Sequence, residues 1–230
     1  MDAKMDPKLE TLHRLAREEA SLGDMPIDVA LYESLGRDPL EPLIGGGNVK
    51  ASLGFFGRDP GREEVRWMEP LIGAAGKLVR SGVHRWKFGV DAPDFEAERA
   101  MASEVFFSNT VPYKPLGNKA WSVRVKRRFY SVIASYLVDH WAGQDLITLG
   151  NVAFHWFGLN ASREERNRFK AFWEGDGRYQ ASFTLLLESP LSAKQKEIRL
   201  HPLPHPSPLN ALWYPRFPGL LEQRLTKLSG

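Results

Sequence analysis

Three short apolar runs in this chain each stop in a segment that only a shaped loop can hold. Ala51-Ser52-Leu53-Gly54-Phe55-Phe56 ends at Gly57-Arg58-Asp59-Pro60-Gly61. Val105-Phe106-Phe107 runs into Ser108-Asn109-Thr110-Val111-Pro112, and Ile198–Leu203 into His205-Pro206-Ser207-Pro208-Leu209-Asn210. Brief apolar runs bounded by Gly and Pro read as buried strands. Asp145–Leu149, closed by Gly150 and Asn151, and Phe183–Leu187 read the same way. Helical spacing separates them. Leu9, Leu12, Leu15, Ala16 and Leu22 predict an amphipathic helix over 8–22, and a second is expected over 67–80. The most regular stripe is Val125, Phe129, Val132, Ile133, Tyr136 and Leu137, with Ser122 as its N-cap. Pro93 breaks the mixed stretch 81–100. The Gly- and Pro-rich stretch from Gly23 to Lys50, ending in Gly45-Gly46-Gly47, predicts a long wrapping loop.

Strands alternating with helices predict an α/β layer fold with a mainly parallel sheet. Ligands of such sheets lie beyond the carboxyl ends of the strands. A site built from loops 57–61, 108–112 and 204–210 follows. With 230 residues the chain can build a sizeable core unaided. We expect a single domain over 1–230, with an N-terminal helix and wrapping segment in 1–45 and a catalytic core in 51–210. No run of 18 apolar residues predicts a membrane span, and Met1–Asp6 lacks the apolar core of a signal peptide, so a cytoplasmic protein is expected. Cys 0 excludes disulfides, thiolate catalysis and Cys-held metal sites.

The net charge of +3 is compatible with a polyanionic partner without demanding one. Arg124, Lys126, Arg127 and Arg128 crowd the start of a helix, where cations oppose the helix dipole; an outside anion would account for them, as would a solvated helix face. The three loops offer one carboxylate (Asp59), one amide (Asn109) and one imidazole (His205). They do not provide the carboxylate pair of the usual glycosidase. The chain lacks a Gly-x-x-x-x-Gly-Lys phosphate loop. Ser207 is not on a Gly-x-Ser-x-Gly elbow. His201 and His205 cannot share a helix face in a stretch with prolines at 202, 204, 206 and 208, so no metal site is expected.

Gly57-Arg58-Asp59-Pro60-Gly61 together with His205-Pro206-Ser207-Pro208-Leu209 resembles the two signature motifs of the uracil-DNA glycosylase superfamily. Pro70-Leu71-Ile72-Gly73-Ala74-Ala75-Gly76-Lys77-Leu78 is similar to the P-F-V-G-x-A-G-x-L segment of its iron–sulfur branch, Phe107–Val111 to that branch's I-T-N-V-V, and Leu149-Gly150 to its later L-G. The likeness spans residues 51–210. Departures are equally specific. Where the iron–sulfur branch has Lys-Cys-Arg-Pro, this chain has Tyr113-Lys114-Pro115. The third loop is that of the ubiquitous branch, whose first motif ends in a tyrosine where this chain has Gly61. The resemblance is to a divergent, cluster-free member mixing both branches.

That resemblance implies a three-layer α/β/α sandwich around a mainly parallel sheet of about four strands. It implies a monofunctional enzyme acting as a monomer, without metal or cofactor, on uracil-containing DNA at the nucleoid, and releasing uracil. Leu209 would wedge into the stack vacated by the extruded base, and Ser207 would contact phosphate. Asp59 would stabilise the cationic sugar and handle the attacking water, and His205 would donate to uracil O2. Asn109 can accept from uracil N3–H and donate to O4, a pattern that cytosine reverses. Arg58, Gly61 and Leu71 would complete the base site, with Phe107 or Phe56 as alternative stacking partners. Two other readings stand beside this one: a uracil- or abasic-DNA binding protein with little turnover, and a glycosylase for another deaminated base such as hypoxanthine.

Overall fold

The computed structural model describes residues 6–117 and 119–229, and at its centre is a sheet of six strands among those residues. They are β1 (Gly45–Gly47), β2 (Leu53–Gly57), β3 (Phe106–Asn109), β4 (Asp145–Leu149), β5 (Phe183–Glu188) and β6 (Gln195–Leu203), in spatial order β1-β3-β2-β4-β6-β5. The inner four, β3, β2, β4 and β6, are parallel, and β1 and β5 close the two edges antiparallel. The expected four-strand parallel core is therefore present, widened by one antiparallel strand on each side. β1 is the Gly45-Gly46-Gly47 tripeptide expected to lie in a loop. It joins because a ladder needs only backbone N–H and C=O groups, which Ser108 to Phe106 supply.

Helices α1 (Pro7–Ser21) and α2 (Val29–Ser34) precede the sheet. α3 (Arg62–Trp67), α4 (Ala74–Phe88) and α5 (Phe95–Ala100) link β2 to β3. α6 (Val123–Arg128) and α7 (Tyr130–Ser135) link β3 to β4, α8 (Asn151–Trp156) and α9 (Arg163–Glu174) lead to β5, and α10 (Phe217–Ser229) follows β6. Neighbouring strand residues point to opposite faces, so both faces must be covered. Phe56, Phe106, Leu146 and Leu200 pack with residues of α1, α6, α7, α8 and α9 on one side. Phe55, Phe107, Ile147 and Leu203 pack with α4 and α10 on the other. The result is an α/β/α sandwich.

Two helix expectations change. The helix expected over 67–80 is two helices, because Met68 and Leu71 both take φ 51, in the left-handed region. The helix after Ser122 breaks at Phe129, between α6 and α7. Its apolar stripe from Val125 to Leu137 is nonetheless wholly buried, and the Ser122 hydroxyl caps it by accepting from the Val125 N–H at 3.3 Å.

Candidate active site

Four parallel strands deliver four chain exits to one edge of the sheet. Gly57 pairs with Asn109, the last residues of β2 and β3, and Leu149 pairs with Leu203, the last of β4 and β6. The chain leaves β2 toward β3 and returns to its other side as β4, so the crevice sits where the order reverses. A pocket of about 250 Å³ opens there. Arg58, Asp59, Gly61, Leu71, Asn109 and His205 all line it, with Gly57, Glu64 and Leu149. A groove of about 500 Å³ adjoins, sharing Arg58, Leu149 and His205 and adding Ser207 and Leu209.

Two glycines make these approaches possible. A Cβ on Gly57 would stand 2.5 Å from Asn109 Oδ1, and one on Gly150, at φ +89, would stand 2.9 Å from the His205 Cβ. Asn109 is buried and its Nδ2 has no hydrogen-bond partner among the described residues. An amide donor left so is costly, and a ligand acceptor in the pocket relieves the cost. Asp59 has a side chain only 1% exposed, with Oδ2 3.0 Å from Arg58 Nε. The Thr110 hydroxyl shares its proton between the Arg58 carbonyl and Asp59 Oδ1, the latter at 3.2 Å. Burial pushes the Asp59 carboxyl above its ordinary range; the cations of Arg58 and Lys126, and hydrogen bonds from Thr110 and the Trp121 N–H, pull against that rise. Burial, aided by the Arg58 charge, holds His205 down at about 4, so its imidazole is neutral at physiological pH. The site thus carries one enclosed carboxyl group, one neutral imidazole and one amide with an open donor around a single hollow.

The model of the uracil DNA glycosylase superfamily matches residues 44–229. The chain belongs to that superfamily. No curated protein matches it. Membership supports a DNA glycosylase, a hydrolase of DNA repair, and no helix among the described residues is long and apolar enough to cross a membrane.

In this superfamily member the third loop is a series of turns. The Ser207 and Asn210 side chains fix its backbone, Ser207 Oγ accepting from the Leu209 N–H at 3.3 Å and Asn210 Nδ2 donating to the His205 carbonyl at 3.3 Å. Leu209 projects from it 94% exposed. Leu71 forms a wall of the pocket, its Cδ2 3.3 Å from where a Gly57 Cβ would be. Phe56 and Phe107 are elsewhere: Phe56 packs on Trp156 and Phe157, and Phe107 on Phe55 and under Arg80. The basic cluster is also reassigned. Arg124 and Arg128 pair with Asp24, Arg127 donates to the Leu159 carbonyl, and Lys126 is buried on the Asp59 side. Asp24 of the chain itself supplies an anion for two of these four cations.

Reading the sequence missed Glu64 and Arg80. The Glu64 carboxylate accepts from the N–H groups of Gly61 (2.9 Å), Ile72 (3.2 Å) and Gly73 (2.9 Å), tying the first loop to the start of α4. A side chain at 61 would meet it, since a Gly61 Cβ would lie 2.7 Å from Glu64 Oε2. Arg80 is buried and donates to the carbonyls of Leu71 (2.7 Å), Pro70 (3.0 Å) and Arg99 (2.9 Å), fixing Leu71 in its left-handed conformation. Glu64 three residues beyond Gly61 was the available signal, the spacing of a helix-start carboxylate. Arg80 on a helix reads as an ordinary surface charge.

Proposed function

We propose that the chain is a monofunctional uracil-DNA glycosylase that hydrolyses the N-glycosidic bond of an extruded deoxyuridine and leaves an abasic site. One observation carries this reading: Asp59, Asn109 and His205 line a single pocket in which the Asn109 amide donor lacks a partner among the described residues. Uracil O4 satisfies that donor, and N3–H meets the amide oxygen; cytosine would leave both unpaired. As the C1′–N1 bond breaks, its electron pair leaves with the base. The neutral His205 donates a hydrogen bond to the O2 that becomes anionic. Asp59 faces the sugar cation and accepts the proton of the water that adds to C1′. Leu209, exposed at the rim, fills the gap in the stack, and Ser207 contacts phosphate in the groove. Arg58, Gly61 and Leu71 bound the base. Uracil is released, and the residues of the site need no cofactor for these steps.

The Arg58–Asp59 ion pair favours a second reading, a uracil- or abasic-DNA binder in which the carboxylate is too well neutralised to turn over. The test is release from oligonucleotides containing uracil, thymine or hypoxanthine, supplied in excess and followed by alkaline scission. Many turnovers on uracil support the glycosylase. Capture limited to one equivalent supports the binder, and preference for hypoxanthine redirects the substrate.

A further inference from the structure

Arg58 stands where two demands of the proposed reaction conflict. It is pressed against Asp59 Oδ2 at 3.0 Å, yet its side chain keeps 31% exposure where that of Asp59 keeps 1%. It borders both the base pocket and the adjoining groove. Excision develops positive charge on the sugar beside Asp59. A guanidinium held on the same carboxylate repels that charge and neutralises the group that should stabilise it. Asp59 is enclosed by Thr110 and the Trp121 N–H. Arg58 keeps one side in water, where its guanidinium can turn toward a ligand in the groove.

We propose that Arg58 is an exchangeable counter-ion, paired with Asp59 in the free protein and transferred to a backbone phosphate of the extruded nucleotide when DNA binds. The inference rests on the glycosylase reading and adds a means of keeping the carboxylate covered until substrate is seated. A nucleotide swinging into the pocket carries its phosphates across the seam between groove and pocket, which is the seam Arg58 borders. A guanidinium fork matches phosphate oxygens in two-pronged fashion, and the developing sugar cation then takes its place opposite Asp59. The other charged or titratable groups around Asp59 do not offer this exchange. Lys126 is buried, His205 is neutral, Glu64 is engaged by three backbone N–H groups, and Arg62 and Glu63 line the pocket without pairing to Asp59 among the described residues.

The experiment compares the full-length wild type with Arg58→Gln and Arg58→Lys. Binding is measured against salt, using a duplex that carries 2′-fluoro-2′-deoxyuridine, which resists cleavage. Arg58→Gln should lower the slope of log Kd on log salt by about 0.9, one phosphate contact, while Arg58→Lys retains it. Single-turnover excision is then followed against pH. The acid limb at limiting enzyme reports Asp59 in the free protein, and that at saturating enzyme reports the complex. In Arg58→Gln the first limb moves to higher pH, because the cation beside Asp59 is gone. The second stays, because in the complex Arg58 has already departed. An unchanged salt slope, or two limbs moving together, overturns the exchange. Absence of uracil release by the wild type overturns the glycosylase reading instead, and the salt slope still reports on Arg58.

Discussion

Asp59 is held in a place that disfavours its charge, and this sets the sign of its effect on stability. Its folded carboxyl titrates above the unfolded value, so the folded chain binds that proton more tightly. Stability from this group is full below the ordinary carboxylate range and is lost as pH rises through the folded value. Asp59→Asn removes that loss. Thermal unfolding at neutral pH should give a Tm equal to or above wild type, the difference closing at about pH 3, while single-turnover excision falls by about 10²–10⁴-fold. A clear drop in Tm at neutral pH would place Asp59 among the structural ion pairs. Asn109 makes the complementary case. Its Nδ2 has no partner among the described residues, so Asn109→Ala should leave the urea midpoint near wild type and weaken uracil recognition by about tenfold or more, read as KM against kcat.

The elements show how far local patterns reach. Five of the six strands could be read from the sequence because short apolar runs stop at Gly, Pro or polar turn residues, and the α6–α7 stripe because burial enforces its spacing even across the break at Phe129. The division between α3 and α4 could not. Leu71-Ile72 and Val79 fit one continuous helix by spacing, and the break is imposed by tertiary groups, the Glu64 carboxylate on one side and the Arg80 guanidinium on the other. Arg80→Leu leaves the carbonyls of Pro70, Leu71 and Arg99 without their donor. It should cost roughly 2–4 kcal/mol in urea unfolding with an unchanged m value, and slow excision by loosening the Leu71 wall.

At the scale of the molecule, the stretch before the family match fastens the segment that follows β3. Ile27 bridges Pro115, Leu43 N–H donates to the Pro112 carbonyl at 2.8 Å, and the Lys114 ammonium reaches Asp28 at 2.9 Å. Lys114 is buried, so Lys114→Met strands Asp28 and should cost about 3 kcal/mol or more by denaturant titration. Such long-range fastenings leave no periodic trace, which is why 1–45 read only as a helix and a loop. The convergence of three loops did leave one, because parallel strands must release their chains at a common edge. Leu71 brings a different consequence. A left-handed leucine carries strain of about 1–2 kcal/mol, which glycine would relieve while erasing a pocket wall. Selection for heat resistance and selection for excision therefore pull this codon apart: libraries sorted by survival at high temperature should drift to glycine or asparagine at 71, and libraries sorted by repair should hold leucine.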